Sequence, residues 1–263
     1  MLITLTTDFG YVDPFVGIMK GVIARINPQV QVVDLSHGIP PQDVMAGALV
    51  LRNSIAFFPR NTIHVAVIDP EVGSIRRPLL VESDGKYLIG PDNGVLSLAL
   101  KNTAPDRLIH LSNSSYHLQP TSATFHGRDI FAPVAAHLSL GVDPTLLGDP
   151  VDRFVHLAWP QVFESKLGIE GEIIHIDRFG NLFTNVSDED LLALRKDQLR
   201  ISLGNIIIDG VVQNYAAGED GRFIALINSS GLLEIAVYKD SAQYRCKSKI
   251  GDKVRISVLG KVS

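Results

Sequence analysis

The sequence has a single cysteine, Cys246, which excludes a disulfide scaffold and a cysteine-based zinc site. It has no basic run of five or more residues, and 28 Asp and Glu outnumber 24 Lys and Arg, for a formal charge of -4. That balance offers nothing to a phosphate backbone, so no nucleic-acid partner is expected. Its apolar stretches, such as MAGALVL at 45–51, fall far short of the ~20 residues of a membrane span, so no membrane partner is expected. The N-terminal MLITLTTDFG has no positive stretch, and Asp8 stands where the apolar core of a signal peptide would run. A reducing, cytoplasmic location is therefore expected. Familiar fingerprints are missing too: no Gly-rich dinucleotide loop follows the first apolar run, and there is no P-loop, HExxH or GxSxG. DFG at 8–10 and HGRD at 126–129 share letters with kinase signatures, but in the wrong order and without a Gly-rich loop. The eight histidines are scattered, with no pair at ligand spacing on one helix, so no metal is expected.

What is present is a chain of 263 residues, 46% hydrophobic, enough for one large domain or two. The composition excludes a disordered chain, a collagen and a coiled coil. In the first half, short β runs alternate with amphipathic helices. LITLTT (2–7), 30–35 and TIHVAVID (62–69) read as strands, the last continuously apolar as a buried parallel strand should be. Phe15, Ile18, Met19, Val22, Ile23 and Ile26 recur at helical spacing, and 42–58 reads as a second helix. Segments 77–83 and 86–90 form a hairpin around Asp84-Gly85. Short helices are expected from 94 and over 130–141. From about Gly168 the segments are short, β-branched and divided by Gly, Asn or Asp, as in a small sandwich or barrel. One helix interrupts them, with Ser187 and Asp190 as a capping box before LLALR. The expected fold is an N-terminal α/β domain, 1–160, with a mainly parallel central sheet, plus a smaller C-terminal β-barrel or sandwich domain, 161–263.

Ligands of open α/β sheets sit beyond the carboxyl ends of the strands, and three polar clusters fall there. Asp8 ends the first strand; it suits a turn or helix cap, or a carboxylate receiving two hydroxyls as from a ribose. In VIDPEVGSIRR (67–77), Asp69 and the arginines suit either a surface salt bridge or a carboxylate facing a guanidinium inside a cleft. In TFHGRDIFAP (124–133), His126 is either a core or cap histidine or a functional imidazole, and Gly127 leaves room for close approach. Arg128 and Asp129 suit a local pair. In the second half, IDRFGNLFTN (176–185) and INSSGLLEIA (227–236) join strands to polar groups through Gly turns. Ser229 and Ser230 could receive a carboxylate or simply shape a turn.

Taken together, TTDFG, VGIMKG, HGIPPQD, IDPEVGSIRR, GPDNG, FHGRDIFAP, IDRFGN and NSSGLLEIA stand in one order that resembles a single family. It is the S-adenosyl-L-methionine hydroxide adenosyltransferases, relatives of the nucleophilic fluorinase and chlorinase. The resemblance implies hydrolysis of S-adenosyl-L-methionine to adenosine and L-methionine, with no cofactor. It implies an N-terminal α/β and a smaller C-terminal β domain, and a homotrimer with substrate between the N-domain of one subunit and the C-domain of the next. The family's Asp–Arg–His set is similar to Asp69, Arg76 and His126, and its ribose-binding Asp to Asp8. Asp177 resembles the residue on the methionine amino group, Phe179 and Asn181 those on adenine, and Ser229 the serine on the methionine carboxylate. Ser230 beside it joins the candidate substrate contacts. Glu71 stands where the family commonly has Gly, and Ser230 where the halogenases have Arg. The fluorinase has Tyr-Ser where this chain has His126-Gly127, so a halide-binding hydroxyl is missing and the pattern sides with water. A halogenase, and a protein that binds adenosine or S-adenosylmethionine without turnover, are the alternatives.

Overall fold

The computed structural model describes residues 1–100, 103–165, 168–192 and 194–259. The chain divides into two units, Met1–Leu157 and Ala158–Ser263.

The first unit runs β1 (Leu2–Thr7), α1 (Phe15–Ile26), β2 (Gln31–Ser36), α2 (Val44–Ser54), β3 (Thr62–Val67), β4 (Pro78–Ser83), β5 (Lys86–Pro91), β6 (Arg107–His110), α3 (Ala132–Ser139) and β7 (Asp149–Pro150). The strands lie in the order β2-β1-β3-β5-β4-β6-β7. Its centre, β2-β1-β3-β5, is parallel, and β4, β6 and β7 continue it antiparallel. Every residue of β3 is buried, as a central strand covered on both faces requires. Alternation along it divides the core. Ile63, Val65 and Val67 face α1 and α3, while Ala66 and Ile68 join α2 residues Ala46 and Leu51 on the other side. The β4–β5 hairpin turns through Asp84 (φ 48°) and Gly85 (φ 64°), the left-handed pair that a two-residue turn needs.

Several boundaries differ from the sequence reading. On α1 the buried stripe is Val16, Met19 and Ile23, with Phe15 and Ile18 about two-fifths exposed at 40% and 38%. The helix after the Pro pair starts at Val44, because Gln42 is left-handed (φ 67°) and the Asp43 side chain caps the Ala46 N–H at 2.9 Å. The segment from 94 makes only a 3₁₀ turn, Ser97–Leu100. Before α3, residues Gly127–Phe131 form a π-turn in which the Ala132 N–H reaches the Gly127 carbonyl. Such turns mark sites where a helix is distorted for a local purpose.

The second unit runs β8 (Phe163–Ser165), β9 (Gly168–Ile176), β10 (Leu182–Ser187), β11 (Leu199–Leu203), β12 (Ile206–Asp209), β13 (Phe223–Ile227), β14 (Leu232–Val237), α4 (Ala242–Cys246) and β15 (Lys253–Val258). Its antiparallel sheet has the order β12-β11-β15-β9-β10-β14-β13, with β8 on β9. Long β9 pairs β15 with its first half and β10 with its second, which curls the sheet. A bridge from Val212, just past β12, to Leu226 of β13 brings the two ends together as a nearly closed barrel. Ile173, Leu182, Ile201, Leu233, Ile235 and Ile256 fill its interior. The Ser187–Asp190 box forms, with the Ser187 N–H on Asp190 Oδ2 at 2.7 Å and the Asp190 N–H on Ser187 Oγ at 3.2 Å. It starts only a 3₁₀ turn, Glu189–Leu191, where a helix is expected.

Among the described residues, no helix is long and apolar enough to cross a membrane.

Candidate functional site

Parallel pairing of β1 with β3 sets Thr7 opposite Val67. Asp8 and Asp69, which follow those strands by one and two residues, thus leave the same edge of the sheet. The loop after Asp69 returns Arg76 onto it: Nε donates to Asp69 Oδ1 at 2.9 Å, and Nη2 donates to Oδ2. Both side chains are buried, 3% and 5% exposed, so this fork is a buried ion pair and not a surface bridge. The neighbouring Arg77 is spent differently, on Asp92 Oδ2 at 2.6 Å and the Arg153 carbonyl at 2.8 Å. Asp92 and Asn93, the polar pair of GPDNG, act as fasteners. Asn93 Nδ2 donates to the Ile68 carbonyl at 2.8 Å, next to Asp69.

His126 precedes the π-turn and completes the cluster, its Nδ1 lying 2.7 Å from Arg76 Nη2. Arginine can only donate, so Nδ1 is the acceptor and the ring is neutral. Burial, and then the Arg76 cation, push its pKa below the ordinary histidine range, while the Asp69 and Asp129 carboxylates work the other way. The Phe131 ring lies under the guanidinium, 5.5 Å from Cζ to centroid. One donor is left over: Arg76 Nη1 is buried and makes no hydrogen bond among the described residues. An unfilled guanidinium N–H in a dry site is an attachment point for an oxygen or a small anion.

Gly127 has a packing reason for lacking a side chain. A Cβ there would meet Phe125 at 3.1 Å and the Met19 sulfur at 3.2 Å, so these residues occupy the space that the sequence leaves to a ligand. Arg128 and Asp129 pair with each other at 2.6 Å, and buried Asp129 also receives the Ser122 N–H at 2.9 Å, shaping the loop under His126. Glu71 is exposed on its turn. Asp8 is half-buried, and its Oδ2 receives the Gln42 N–H at 2.8 Å. Buried His37 supports the loop that carries Asp8, with Nδ1 at 2.8 Å from Thr7 Oγ1 and its carbonyl at 2.8 Å from the Gly10 N–H.

In the barrel, Asp177, Phe179 and Asn181 share the β9–β10 turn. Asp177 Oδ1 receives the Phe179 and Asn181 N–H groups, each at 2.9 Å, and Oδ2 receives Asn181 Nδ2 at 3.0 Å. These bonds make a rigid Asx-type turn that keeps a carboxylate at the mouth of a pocket of about 630 Å³. Tyr215, Tyr238 and Ser241 also line it, and Phe179 stands at the rim, 76% exposed. Tyr215 and Tyr238 escaped the sequence reading because they lie outside the Gly turns; only an aromatic beside a polar loop could have signalled them. Ser229 and Ser230 do not line this pocket. They sit on the β13–β14 turn, Ser229 exposed and the Ser230 N–H on Asn228 Oδ1 at 2.9 Å. Among the described residues no group of three or more His, Cys, Asp or Glu is placed to hold a metal ion.

Comparison with known proteins bears on what these clusters do. Residues 3–148 match the family model described as the SAM hydroxide adenosyltransferase N-terminal domain, and residues 171–255 match its C-terminal domain. A protein of Methanocaldococcus jannaschii named (R)-S-adenosyl-L-methionine hydrolase is 36% identical over 97% of this chain and 95% of its own. One of the same name from Thermus thermophilus is 36% identical over 95% and 97%. A fluorinase of Actinoplanes is more distant, at 27% over 97% of each chain. The crystal structure of an uncharacterized conserved protein from Thermotoga maritima superposes with a TM-score of 0.89 at 32% identity, covering 97% of this chain and 100% of that one.

Proposed function

Because this chain belongs to the SAM hydroxide adenosyltransferase family and is an S-adenosyl-L-methionine hydrolase, we propose that Asp69, Arg76 and His126 carry out its chemistry. The electrophile is C5′ of the substrate, bonded to a sulfonium. Water attacks C5′, a C–O bond forms, and the C–S pair returns to sulfur. Neutral L-methionine leaves without needing a proton, and the water loses one to give adenosine. Water is the weak participant, so orientation and charge stabilisation at its oxygen are what the protein must supply.

The observation that carries this reading is the unfilled Nη1 of buried Arg76. It is the donor for the attacking oxygen and stabilises the hydroxide that develops there. Asp69 holds the guanidinium by a fork and accepts the proton through a remaining lone pair. His126, neutral and with its Nδ1 engaged, fixes the Nη2 side so that Nη1 points one way. Carboxylate, guanidinium and imidazole suffice for this step without a resident cofactor. Packing at Gly127 favours water over halide, since a serine there would push against Phe125 and Met19.

The N-terminal unit is the catalytic part in this reading, with Asp8 receiving ribose hydroxyls, and the barrel completes the substrate site. Asp177 takes the ammonium group, Phe179 and Asn181 the adenine, and Ser229 and Ser230 the carboxylate. The same proposal includes a homotrimer with sites at subunit interfaces; light scattering should give three times the chain mass. A cytoplasmic location belongs to the same proposal and suits the free thiol of Cys246. The test is incubation with S-adenosyl-L-methionine followed by chromatography for adenosine. Absence of adenosine above the blank defeats the reading.

A further inference from the structure

Glu234 lies on the outward face of β14, between the interior residues Leu233 and Ile235, yet that face too is covered. Glu234 is fully buried, opposite Phe183 on β10 and Leu226 on β13. Ile224, Leu226 and Ala236 form an apolar cluster on neighbouring positions of the same two strands, β13 and β14. A carboxyl in such surroundings is destabilising unless it is held by partners. Its firm partner is Tyr215, whose hydroxyl donates to Oε1 at 2.8 Å, and Tyr215 is a wall of the barrel pocket.

The other oxygen leads elsewhere. Among the described residues, Oε2 is buried without a hydrogen bond, and so is Nδ2 of Asn228. The Asn228 N–H bonds the Leu232 carbonyl at 2.9 Å, so Asn228 stands two positions beyond the Leu226–Glu234 pair and its side chain shares the face of Glu234. Burial raises the Glu234 pKa, and the Tyr215 hydroxyl works against that rise. Asn228 also builds the β13–β14 turn. Its Oδ1 receives the N–H groups of Ser230 at 2.9 Å and Leu232 at 3.2 Å. One buried carboxyl thus stands between an aromatic wall and a serine-bearing turn.

We propose that Glu234 is a positioning residue, which holds the Tyr215 wall and the Asn228 turn carrying Ser229 and Ser230 in one geometry so that both grip a single S-adenosyl ligand. It touches no substrate itself. The inference rests on the reading that this unit binds the adenosyl substrate, and goes beyond it by assigning what sets the spacing of the two contacts.

The test exchanges donor and acceptor. Glu234→Gln keeps an acceptor for Tyr215 but turns an N–H toward the Asn228 amide. Asn228→Asp restores an acceptor there, while its other oxygen still receives Ser230 and Leu232. Setting two buried amide N–H groups against each other should raise KM about tenfold in Glu234→Gln, with kcat within about twofold. The double variant should return KM to within about threefold of wild type, which a merely structural defect would not do. Tyr215→Phe, at a partly exposed position that tolerates the change, should raise KM about fivefold. Calorimetry with adenosine reads the Tyr215 wall without turnover, and affinity should fall in both single variants at 215 and 234. Unchanged KM and adenosine affinity in these variants, or a double variant no better than Glu234→Gln, overturns the proposal. If Glu234→Gln does not fold, Tyr215→Phe decides alone, since an unaltered KM and adenosine affinity there also overturn it. Wild-type protein that binds adenosine but releases none from S-adenosyl-L-methionine would defeat the hydrolase reading instead and leave the calorimetric comparison to decide this one.

Discussion

The two units handle charge in opposite ways. In the α/β unit, Asp69 and Arg76 are buried, forked together and backed by an aromatic ring, with one N–H unspent. In the barrel, Asp177 is tied into a turn at the mouth of a broad pocket whose rim is exposed phenylalanine. Dry, fixed dipoles suit the stabilisation of charge that develops during a reaction, because they need no rearrangement. An open pocket with aromatic walls suits recognition, where a ligand must enter and leave. The proposed function places chemistry in one unit and grip in the other, and each substitution below tests that division.

The largest effect belongs to Asp69→Ala. It removes the proposed proton acceptor and leaves Arg76 buried without its counter-charge, so adenosine release should fall by at least about 10²–10³-fold. Stability should drop by about 3–5 kcal/mol in a urea melt, as for a broken buried pair. Activity within tenfold of wild type would remove Asp69 from the catalytic set.

Next is a pH effect confined to the α/β unit. His64 on β3 is fully buried, and its pKa is pushed down to about 4 by burial and by Lys86. The unfolded chain, with an ordinary histidine near 6.5, binds the proton more readily. Stability is therefore full above pH 6.5 and is lost as pH falls toward 4, by about 3 kcal/mol. Urea melts of wild type and His64→Leu across this window should show the slope shrinking in the variant. An equal slope in both would exclude His64 as its source.

A smaller effect is expected at the π-turn. Gly127→Ala forces a Cβ against Phe125 and Met19, costing about 1–3 kcal/mol by overpacking. Because His126 is its neighbour, kcat should fall with KM little changed; a change in KM alone would mean that the turn serves binding. The smallest effect is at Phe179, which is 76% exposed. Phe179→Ala should leave stability within about 0.5 kcal/mol and raise KM severalfold through lost ring contact. A fall in kcat there would blur the division between the two units.

Much of this was legible beforehand. The apolar run at 62–67 announced a central strand, and the hairpin at Asp84-Gly85 and the switch to short strands near Gly168 were visible as turn chemistry and period. Helix limits were less legible. Gln42 is kept out of α2 by a left-handed backbone, and the 94–100 run begins at a left-handed Gly94 (φ 97°) and makes only a 3₁₀ turn, Ser97–Leu100. Within the site, the residue types of Asp69, Arg76 and His126 could be picked out by motif order. Tyr215 and Glu234 could not, since a tyrosine in a loop and a glutamate among strand residues look like ordinary solvent-facing choices.

What the sequence by itself determined is the local character of each segment and its family membership, because period, turn residues and motif order are properties of neighbours along the chain. Only the tertiary structure decided which charges are buried. Two adjacent arginines, Arg76 and Arg77, have the same chemistry, yet one reaches Asp69 and His126 and the other reaches Asp92 and Arg153. Partners 50 and 76 residues away make that choice. Burial and long-range pairing depend on the packed whole, and they separate an unspent donor in a dry site from a surface cation.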